Sequence, residues 1–524
     1  MTMQATAVPA PGGRLRPLVA PIFALVIWEL IARLLSDAFV LAAPSAIALY
    51  LIENAGLMFR ALGVTLSNAA LGFILGNLAA IALAVLATIW PRSDAFIRGF
   101  ALLVFCLPLV ATGPILRVIF GPGEGPQIVL AALAVYYTTL IPLLVGLRAV
   151  PAGWLDLVRS YGRGRVSALV HVRARATVPY LVAGLQISAP AAFLGAMVGE
   201  FTGADRGMGV LTIRAMRGMN VEMTWALATV ATLVAVLWYL AVGALARRFM
   251  REEPPLILAA PPSAAKSRLS QTATLIGVTI SALALWQASL WAFDLNPFFA
   301  KGPLDVAGAM LTDADASQTR ATLLSALGET AVYLLPGYAV GLLAGAGLAM
   351  LVVMVPSVAS VTMPLAIALR SVPIITTAPL VVLLLGRGAV GTLTLVAIMV
   401  FFPTFIACLQ GLRQAPGRIV DVFDSYAAGP LTKLLRLRIP AMLPAFFAAA
   451  RINVPASILA ITVVEWLTTG RGLGQVMAVS ASLSDYDLLW SSVVVVALLS
   501  TIGYGAVGWV EHRLLRIYAP EQIQ

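Results

Sequence analysis

An internal duplication constrains this chain more than any other feature of its sequence. The stretch from Pro151 to Pro190 returns from Pro416 to Pro455 without an insertion, so that each position has a twin 265 residues later (151 to 416). The matched pairs include Asp156 and Asp421, Ser160 and Ser425, Tyr161 and Tyr426, and Pro179 and Pro444. The same offset holds from about residue 60 to residue 251. The sequence therefore predicts two copies of one subunit fused head to tail.

Both copies are too apolar for a water-soluble domain. The 524 residues are 60% hydrophobic and 11% charged, whereas soluble domains carry about 25% charged residues. Charge-free runs such as Leu71–Trp90 match the ~20 residues that a helix needs to cross a bilayer. We therefore predict an all-α polytopic membrane protein.

Six predicted spans in each copy give about 12 transmembrane helices. The spans of the first copy are Leu18–Leu35, Leu66–Trp90, Phe96–Phe120, Pro126–Leu147, Val178–Gly199 and Thr224–Ala246. Those of the second copy are Thr272–Phe293, Ala331–Val355, Val361–Leu385, Gly391–Leu412, Leu443–Trp466 and Leu489–Glu511. A charged, proline-rich stretch between them is typical of a linker. The predicted domains are a first repeat over residues 1–248, a cytoplasmic linker over 249–271 and a second repeat over 272–524.

Basic residues are concentrated in the loop after the fourth span of each copy. The cations are Arg148, Arg159, Arg163, Arg165, Arg173 and Arg175 in the first loop, and Arg413, Arg418, Lys433, Arg436 and Arg438 in the second. The positive-inside rule places both loops in the cytoplasm. An even number of spans then makes the two six-helix repeats parallel, with both termini cytoplasmic. This topology explains the net charge of +11, so we expect contact with membrane lipid and no nucleic-acid partner.

Each basic loop begins with a short amphipathic helix. The apolar positions at helical spacing are Trp154, Leu155, Val158 and Tyr161 in the first copy, and Ile419, Val420, Phe423 and Tyr426 in the second. Gly162 ends the first helix, and Pro179 begins the next span. Two interpretations fit such a helix. It lies either on an anionic lipid surface or in a groove of a cytoplasmic partner.

The first loop resembles the loop motif of type I ATP-binding-cassette importer permeases, most closely the nitrate, sulfonate and taurine branch. The motif has an acidic residue, two further residues, Arg-Ser, an aromatic residue and Gly, and here it runs from Asp156 to Gly162. The second copy departs from it, with Ala427 in the place of the glycine. Downstream, Glu200 and Glu465 and the Gly-x-Gly sequences that follow them resemble the family's acid and Gly-Leu-Gly.

The resemblance implies that each loop forms a coupling helix that binds an ATPase subunit. The implied coupling residues are Asp156, Arg159, Tyr161, Gly162, Asp421, Ser425, Tyr426 and Gly429. The implied partners are two copies of a cytoplasmic ABC ATPase and a periplasmic or lipid-anchored solute-binding protein. The chain has no Gly-x-x-x-x-Gly-Lys-Ser/Thr sequence and only three lysines. We therefore expect ATP and Mg²⁺ to be hydrolysed on the partner and no cofactor to be bound by this chain.

The residues that could support catalysis or metal binding are scattered. Cys106 and Cys408 lie in separate apolar spans, and His171 and His512 have unrelated surroundings. We therefore expect neither an enzyme nor a metal site. The function that the resemblance implies is that of a permease that takes a small solute across a bacterial inner membrane into the cytoplasm. A twelve-span secondary transporter is the alternative, although a repeated basic loop after the fourth span favours the permease.

Charged side chains inside spans cost several kcal/mol and therefore need a role or a partner. Arg370 and Arg117 either pair with a carboxylate on a neighbouring helix or line the translocation path. The candidates for the path are Arg370, Ser371, Thr377, Arg117 and Thr112. In the second case the path would favour an anionic or carbonyl-bearing solute. The resemblance allows sulfonates, nitrate, taurine, bicarbonate and vitamin precursors.

Glu200 and its twin Glu465 stand at the outer end of the fifth span of each copy. One interpretation is structural, in which each acid caps the next segment or pairs with a nearby arginine, Arg206 or Arg471. The other is a gate at the outer end of the path. The sequence favours the structural interpretation, because twin acids at span ends more often stabilise the fold than bind a solute.

Overall fold

A computed structural model of the protein describes residues 16–35, 41–121, 123–249, 268–355, 357–359, 362, 378, 380–381, 384–386, 388–415 and 417–518. These residues form helices and connecting turns, without a strand among them. The helices of the first half are α1 (Arg16–Leu34), α2 (Pro44–Glu53), α3 (Ala55–Ile89), α4 (Asp94–Phe105), α5 (Leu109–Phe120), α6 (Gly125–Arg148), α7 (Ala152–Ser160), α8 (Arg165–Ala168), α9 (Ala174–Phe201), α10 (Met208–Arg217) and α11 (Val221–Phe249). A π-helical turn, Leu169–Arg173, joins α8 to α9.

The second half repeats this order of helices. Its helices are α12 (Arg268–Ala292), α13 (Pro303–Leu311), α14 (Ala316–Met354), α15 (Ala389–Arg413), α16 (Gly417–Ser425), α17 (Pro430–Lys433), α18 (Ile439–Val464), α19 (Gly472–Leu483) and α20 (Tyr486–Tyr518). A π-helical turn, Leu434–Arg438, joins α17 to α18 at the twin position of the first. From α7 to the start of α9, every boundary in the first half has its twin 265 residues later. The duplication in sequence is therefore a duplication in structure.

The predicted all-α polytopic fold in two six-helix repeats is confirmed. Among the described residues, nine helices are long and apolar enough to cross a membrane, and α1 covers the first predicted span. The third predicted span is two helices, α4 and α5, which meet at Pro108 because proline cannot continue the hydrogen bonding of α4. The ninth predicted span, 361–385, lies largely outside the described residues.

Close packing of α3, α6 and α9 forms the centre of the first half. Glycines on α3 permit it, since a Cβ at Gly76 would lie 2.6 Å from the Ala132 carbonyl oxygen of α6. At the twin position on α14, a Cβ on Gly341 would lie 2.7 Å from the Ala397 carbonyl oxygen of α15. Small residues that let backbones approach replace the hydrophobic driving force that lipid removes. We call the end of the bundle that holds α7 and α16 the loop end, and the other the opposite end.

The two halves interlock rather than lie side by side. Helix α12 of the second half packs against α4 of the first, and a Cβ at Gly99 would lie 3.0 Å from Val278 Cγ2. Helix α5 of the first half contacts α18, α19 and α20 of the second. The short helices α10 and α19 both lie at the opposite end, after α9 and α18.

An ion cluster lies at the loop end of the first half, and the described residues of the second half contain no counterpart. Asp94 Oδ2 lies 2.5 Å from Arg98 Nη2 and 2.6 Å from Arg148 Nη2. The Asp94 and Arg98 side chains are largely shielded from solvent, whereas the Arg148 side chain is 35% exposed. It connects α4 to the end of α6, where the first basic loop begins. In the second half the twin of Asp94 is Ala359, and the twin of Arg148, Arg413, is exposed with no described carboxylate within 4 Å.

This difference predicts unequal effects of two matched substitutions. Arg148→Ala removes a charge-assisted hydrogen bond to a shielded carboxylate and should lower the free energy of unfolding by about 2 kcal/mol. Arg413→Ala removes an exposed side chain and should change it by less than about 0.5 kcal/mol. Thermal unfolding of the purified variants in detergent measures both. Equal shifts of the two midpoints would show that the cluster does not stabilise the first half.

Candidate functional site

Two short helices at the loop end, α7 and α16, expose apolar stripes that the described chain does not cover. In α7 the stripe is Trp154, Leu157 and Tyr161, which are 61%, 59% and 76% exposed. In α16 their twins Ile419, Val422 and Tyr426 are also exposed. The predicted apolar face therefore divides, because Leu155 and Val158 are half-buried while Leu157 joins the exposed stripe. Uncovered apolar stripes of this kind mark interaction surfaces.

Both helices end in the same hydrogen-bonded motif. The Gly162 and Arg163 amides donate to the Arg159 and Val158 carbonyls at 2.8 and 3.2 Å, with Gly162 in the left-handed conformation at φ +68°. This is a Schellman ending, for which glycine is the preferred residue. In α16 the amides of Ala427 and Ala428 make the same bonds, but Ala427 has a side chain and still adopts φ +47°.

The other coupling residues predicted from the sequence are exposed around these stripes. Asp156 Oδ1 lies 3.0 Å from Arg159 Nη1 on its own helix, while the twin Asp421 is exposed. In the second loop the ion pair is different, since Asp424 pairs with Lys433. The Ser425 hydroxyl donates to the Val422 carbonyl at 2.8 Å, and Gly429 precedes α17 as its N-cap residue. Their role in coupling stays a prediction.

At the opposite end, a buried carboxylate fixes a short helix to two long ones. Thr65 of α3 donates its hydroxyl to Glu200 Oε1 at 2.6 Å and accepts the Met208 amide at 2.8 Å. Glu200 Oε2 accepts the Gly209 amide at 2.6 Å. We call this set of hydrogen bonds the carboxylate clasp. It joins α3, the end of α9 and the start of α10, where the free amides and the helix dipole favour a negative charge.

The second half contains the same clasp. Thr330 donates to Glu465 Oε1 at 2.8 Å and accepts the Leu473 amide at 3.0 Å, and Glu465 Oε2 accepts the Gly474 amide at 2.8 Å. Both glutamates are almost fully buried. The capping interpretation therefore has a geometric basis. The alternative ion pairs with Arg206 and Arg471 do not form, and each carboxylate instead accepts a threonine hydroxyl and a backbone amide.

The clasp explains the spacing of the Gly-x-Gly sequence. Gly207 has φ +133°, and a Cβ there would overlap the Glu200 carboxyl group. A Cβ at Gly209 would lie 2.6 Å from the Met197 carbonyl oxygen. Gly207 therefore permits the turn, and Gly209 permits α10 to approach α9. As a result the Met208 amide reaches the Thr65 hydroxyl and the Gly209 amide reaches Glu200.

A cavity of 890 Å³ opens between the halves at the opposite end. Three of its lining residues lie on α10, namely Ile213, Met216 and Arg217, and their twins Ala478, Ala481 and Ser482 line it from α19. Phe201 and its twin Trp466 also line it. Twin residues on facing walls place the cavity on the pseudo-twofold axis, and we therefore call it the axis cavity. The clasps hold the two short helices that form these walls.

Two arginines give the axis cavity its charge. Arg117, predicted for the path, lines it from α5, and Arg217 lines it from α10. None of the carboxylates that the structure describes lies within 4 Å of either guanidinium group, and none of the described lining residues is acidic. Arg217 was not among the predicted path residues, because it lies between the predicted spans Val178–Gly199 and Thr224–Ala246. The apolar spacing of Met208, Leu211 and Ala215 was the signal for this helix.

The remaining path candidates do not meet in the described structure. Arg370, Ser371 and Thr377 lie outside the described residues. Thr112 is buried, and its hydroxyl donates to the Leu109 carbonyl at 2.9 Å, so it does not line the axis cavity. Of the five predicted path residues, Arg117 is therefore the one that the structure brings to a cavity.

Removal of one hydroxyl should weaken a clasp. Thr65→Val keeps the shape of the side chain but leaves Glu200 Oε1 and the Met208 amide without their shared partner, at a cost of about 2–3 kcal/mol. Thr65→Ser keeps the hydroxyl and should cost about 1 kcal/mol. Thermal unfolding distinguishes the two, and Thr330→Val should match Thr65→Val. A Thr65→Val protein as stable as the wild type would contradict the proposed importance of the clasp.

Substitutions at the two helix endings should have opposite effects on the stability of α7 and α16. Gly162→Ala meets no atom within 4 Å, so its cost is the left-handed backbone alone, about 1 kcal/mol. Ala427→Gly relieves that same strain and should stabilise α16 by up to about 1 kcal/mol. Hydrogen exchange of the α7 and α16 amides reports each helix separately. A change of the same sign in both variants would rule out backbone strain as the difference.

Comparisons with known proteins agree with this geometry. A model of the binding-protein-dependent transport system inner membrane component family matches residues 76–251 and again 337–516. An ABC transporter permease protein of Haemophilus influenzae is 30% identical over 45% of this chain and 97% of its own length.

Two further relatives also match about half of this chain. The formylaminopyrimidine transport permease protein of Halalkalibacterium halodurans is 24% identical over 44% of this chain and 91% of its own length. An aliphatic sulfonates transport permease protein of Bacillus subtilis is 26% identical over 46% of this chain and 85% of its own length. With two family matches that together cover more than half of its length, the chain belongs to the family of inner membrane components of binding-protein-dependent transport systems, as a fused pair of permease units.

Proposed function

We propose that this single chain supplies the complete membrane pathway of an ATP-driven importer. The observation that supports this most strongly is the duplicated loop, because α7 and α16 have twin boundaries and each exposes an apolar stripe. The relative from Haemophilus influenzae corresponds to one half of this chain, since 45% of the chain aligns with 97% of the relative's length. A fused pair of such units needs no second permease subunit.

Two copies of a cytoplasmic ABC ATPase bind this chain, one at α7 and one at α16. The apolar stripes enter a groove of the ATPase, and the exposed charges beside them, such as Asp156 and Asp421, orient the helices at its rim. ATP and Mg²⁺ are bound and hydrolysed by the ATPase. The permease itself binds no cofactor and performs no catalysis.

The loop end faces the cytoplasm and the opposite end faces the outside. This orientation follows from the cations of the two basic loops, and it leaves both termini in the cytoplasm. Residues 1–248 and 272–524 form the two repeats, joined on the cytoplasmic side by residues 249–271. A periplasmic or lipid-anchored solute-binding protein delivers the solute to the opposite end, where the axis cavity opens.

The solute is small and either anionic or heterocyclic. Relatives are named for aliphatic sulfonates, formylaminopyrimidine, taurine and nitrate. From these names we propose that the present chain imports a sulfonate, nitrate, taurine or a vitamin precursor. The two arginines of the axis cavity support the anionic part of the range.

Substitution of the exposed aromatic residues tests the docking proposal. Tyr161→Ala and Tyr426→Ala each remove a large exposed ring from one stripe and should weaken binding of the ATPase by about tenfold or more, as central aromatic anchors do. The double variant should lose ATP-dependent uptake in proteoliposomes. Tyr518→Ala, which removes a ring of similar exposure at the end of α20, is the matched control and should bind normally.

Two results would reject this function. One is an undiminished ATPase complex in the double variant, with the protein folded by its thermal unfolding profile. The other is uptake driven by an ion gradient without any ATPase, which is what a secondary transporter would show.

A further inference from the structure

We propose that the axis cavity binds an organic anion in one fixed orientation. The acidic group lies on the first-half side against Arg117 and Arg217, and the apolar body lies on the second-half side. This inference rests on the proposed function, which makes the cavity part of an import path, and it names the class of solute. The class is an organic sulfonate or carboxylate with an aromatic or bulky apolar body.

The cavity lies between the two halves, where the proposed import path would run. Its walls are twin residues of α10 and α19, so it straddles the pseudo-twofold axis. Its volume of 890 Å³ is at the upper end of the ~300–1,000 Å³ of small-molecule sites. A solute of several rings or a long chain fits such a volume, whereas an inorganic anion such as nitrate would leave most of it empty.

All of the formal charge on the described walls comes from the first half. Arg117 and Arg217 are the charged residues of the lining, and neither has a described carboxylate within 4 Å. A guanidinium group offers parallel donors that match the oxygens of a carboxylate or sulfonate. The twin of Arg217 is Ser482, which is uncharged. The electrostatic attraction for an anion is therefore one-sided.

The position of Arg117 is built into the fold. Its guanidinium group packs directly against Gly203, where a Cβ would overlap it, and Gly203 has φ +120°, which favours glycine. The glycine thus leaves the space that the guanidinium occupies beside the cavity. The twins of Gly203 and Arg117 are Thr468 and Val382, so the second half has neither the glycine nor the arginine.

The second-half wall provides room and apolar contact. Where α10 presents Ile213 and Met216, the twins on α19 are Ala478 and Ala481. Three aromatic residues of the second half, Trp466, Tyr486 and Phe299, also line the cavity. Small residues flanked by aromatic rings form a slot for an apolar body, to which rings contribute stacking beyond area burial.

Binding of 2-naphthalenesulfonate to the purified permease–ATPase complex in nanodiscs tests the charge. Saturable binding, followed by the fluorescence of the naphthalene ring, is expected for the wild type. Arg117→Ala and Arg217→Ala should each weaken it by about tenfold. Arg206→Ala is the matched control, because Arg206 is an exposed arginine near the same end that does not line the cavity. The neutral analogue 2-naphthalenemethanol should be insensitive to all three substitutions.

The orientation is tested by filling the second-half side. Ala481→Met places there the residue that the twin position on α10 already holds. The substitution should weaken the binding of 2-naphthalenesulfonate by about tenfold. It should leave unchanged the weaker binding of methanesulfonate, which is measured by its displacement of 2-naphthalenesulfonate. A loss of both anions, or of neither, would overturn the fixed orientation.

The result that overturns the site itself is binding that Arg117→Ala and Arg217→Ala together leave unchanged, or no saturable binding to the wild type. Either outcome is distinguishable from failure of the proposed function, because the same samples report whether the ATPase remains bound. An intact ATPase complex with arginine-independent binding rejects the anion site alone. Loss of the ATPase from the wild-type complex rejects the importer.

Discussion

The buried glutamate at the end of each fifth span is the interaction on which the rest of the structure depends. A carboxylate in an apolar interior is costly unless its oxygens are hydrogen-bonded. Glu200 meets this requirement with the Thr65 hydroxyl and the Gly209 amide, and Glu465 does so with the twin groups. Since the amides belong to the first turns of α10 and α19, satisfaction of the carboxylate also positions both walls of the axis cavity. The need to hydrogen-bond a buried carboxylate in each half thus sets the geometry of the axis cavity.

A single long helical segment connects the clasp of the first half to the loop end of the molecule. The helical segment Arg165–Phe201 is 37 residues long, about 55 Å at 1.5 Å per residue. It begins beside α7, the ATPase dock of our proposal, and ends at Glu200, which holds α10. A displacement of the loop that moves this helix as a body therefore moves the wall of the cavity. The π turn Leu169–Arg173 is the point at which the segment departs from regular α-helical bonding.

Much of this architecture could be predicted from the sequence, and the remainder has identifiable physical reasons. Apolar length gave the spans, and the 265-residue offset gave the repeat. The short helix α7 followed from the spacing of Trp154 and Tyr161. Helices α10 and α19 were missed because, at 10 and 12 residues, they are too short to cross a membrane, and the spans were predicted from long apolar runs. The clasp could not be foreseen, since Thr65 and Glu200 are 135 residues apart and meet only after α3 and α9 pack.

Fusion of the two units gives a physical reason for their differences. In a symmetric pair encoded by one sequence, an arginine at position 217 would stand on both walls of a cavity on the axis, and the two charges would repel each other across it. In the fused chain Arg217 faces Ser482, and Met216 faces Ala481. Each wall can therefore serve a different part of one asymmetric solute. The same freedom accounts for an ion cluster at Asp94 whose twin is Ala359, because each half is selected separately while the clasps, which both walls need, are kept in both.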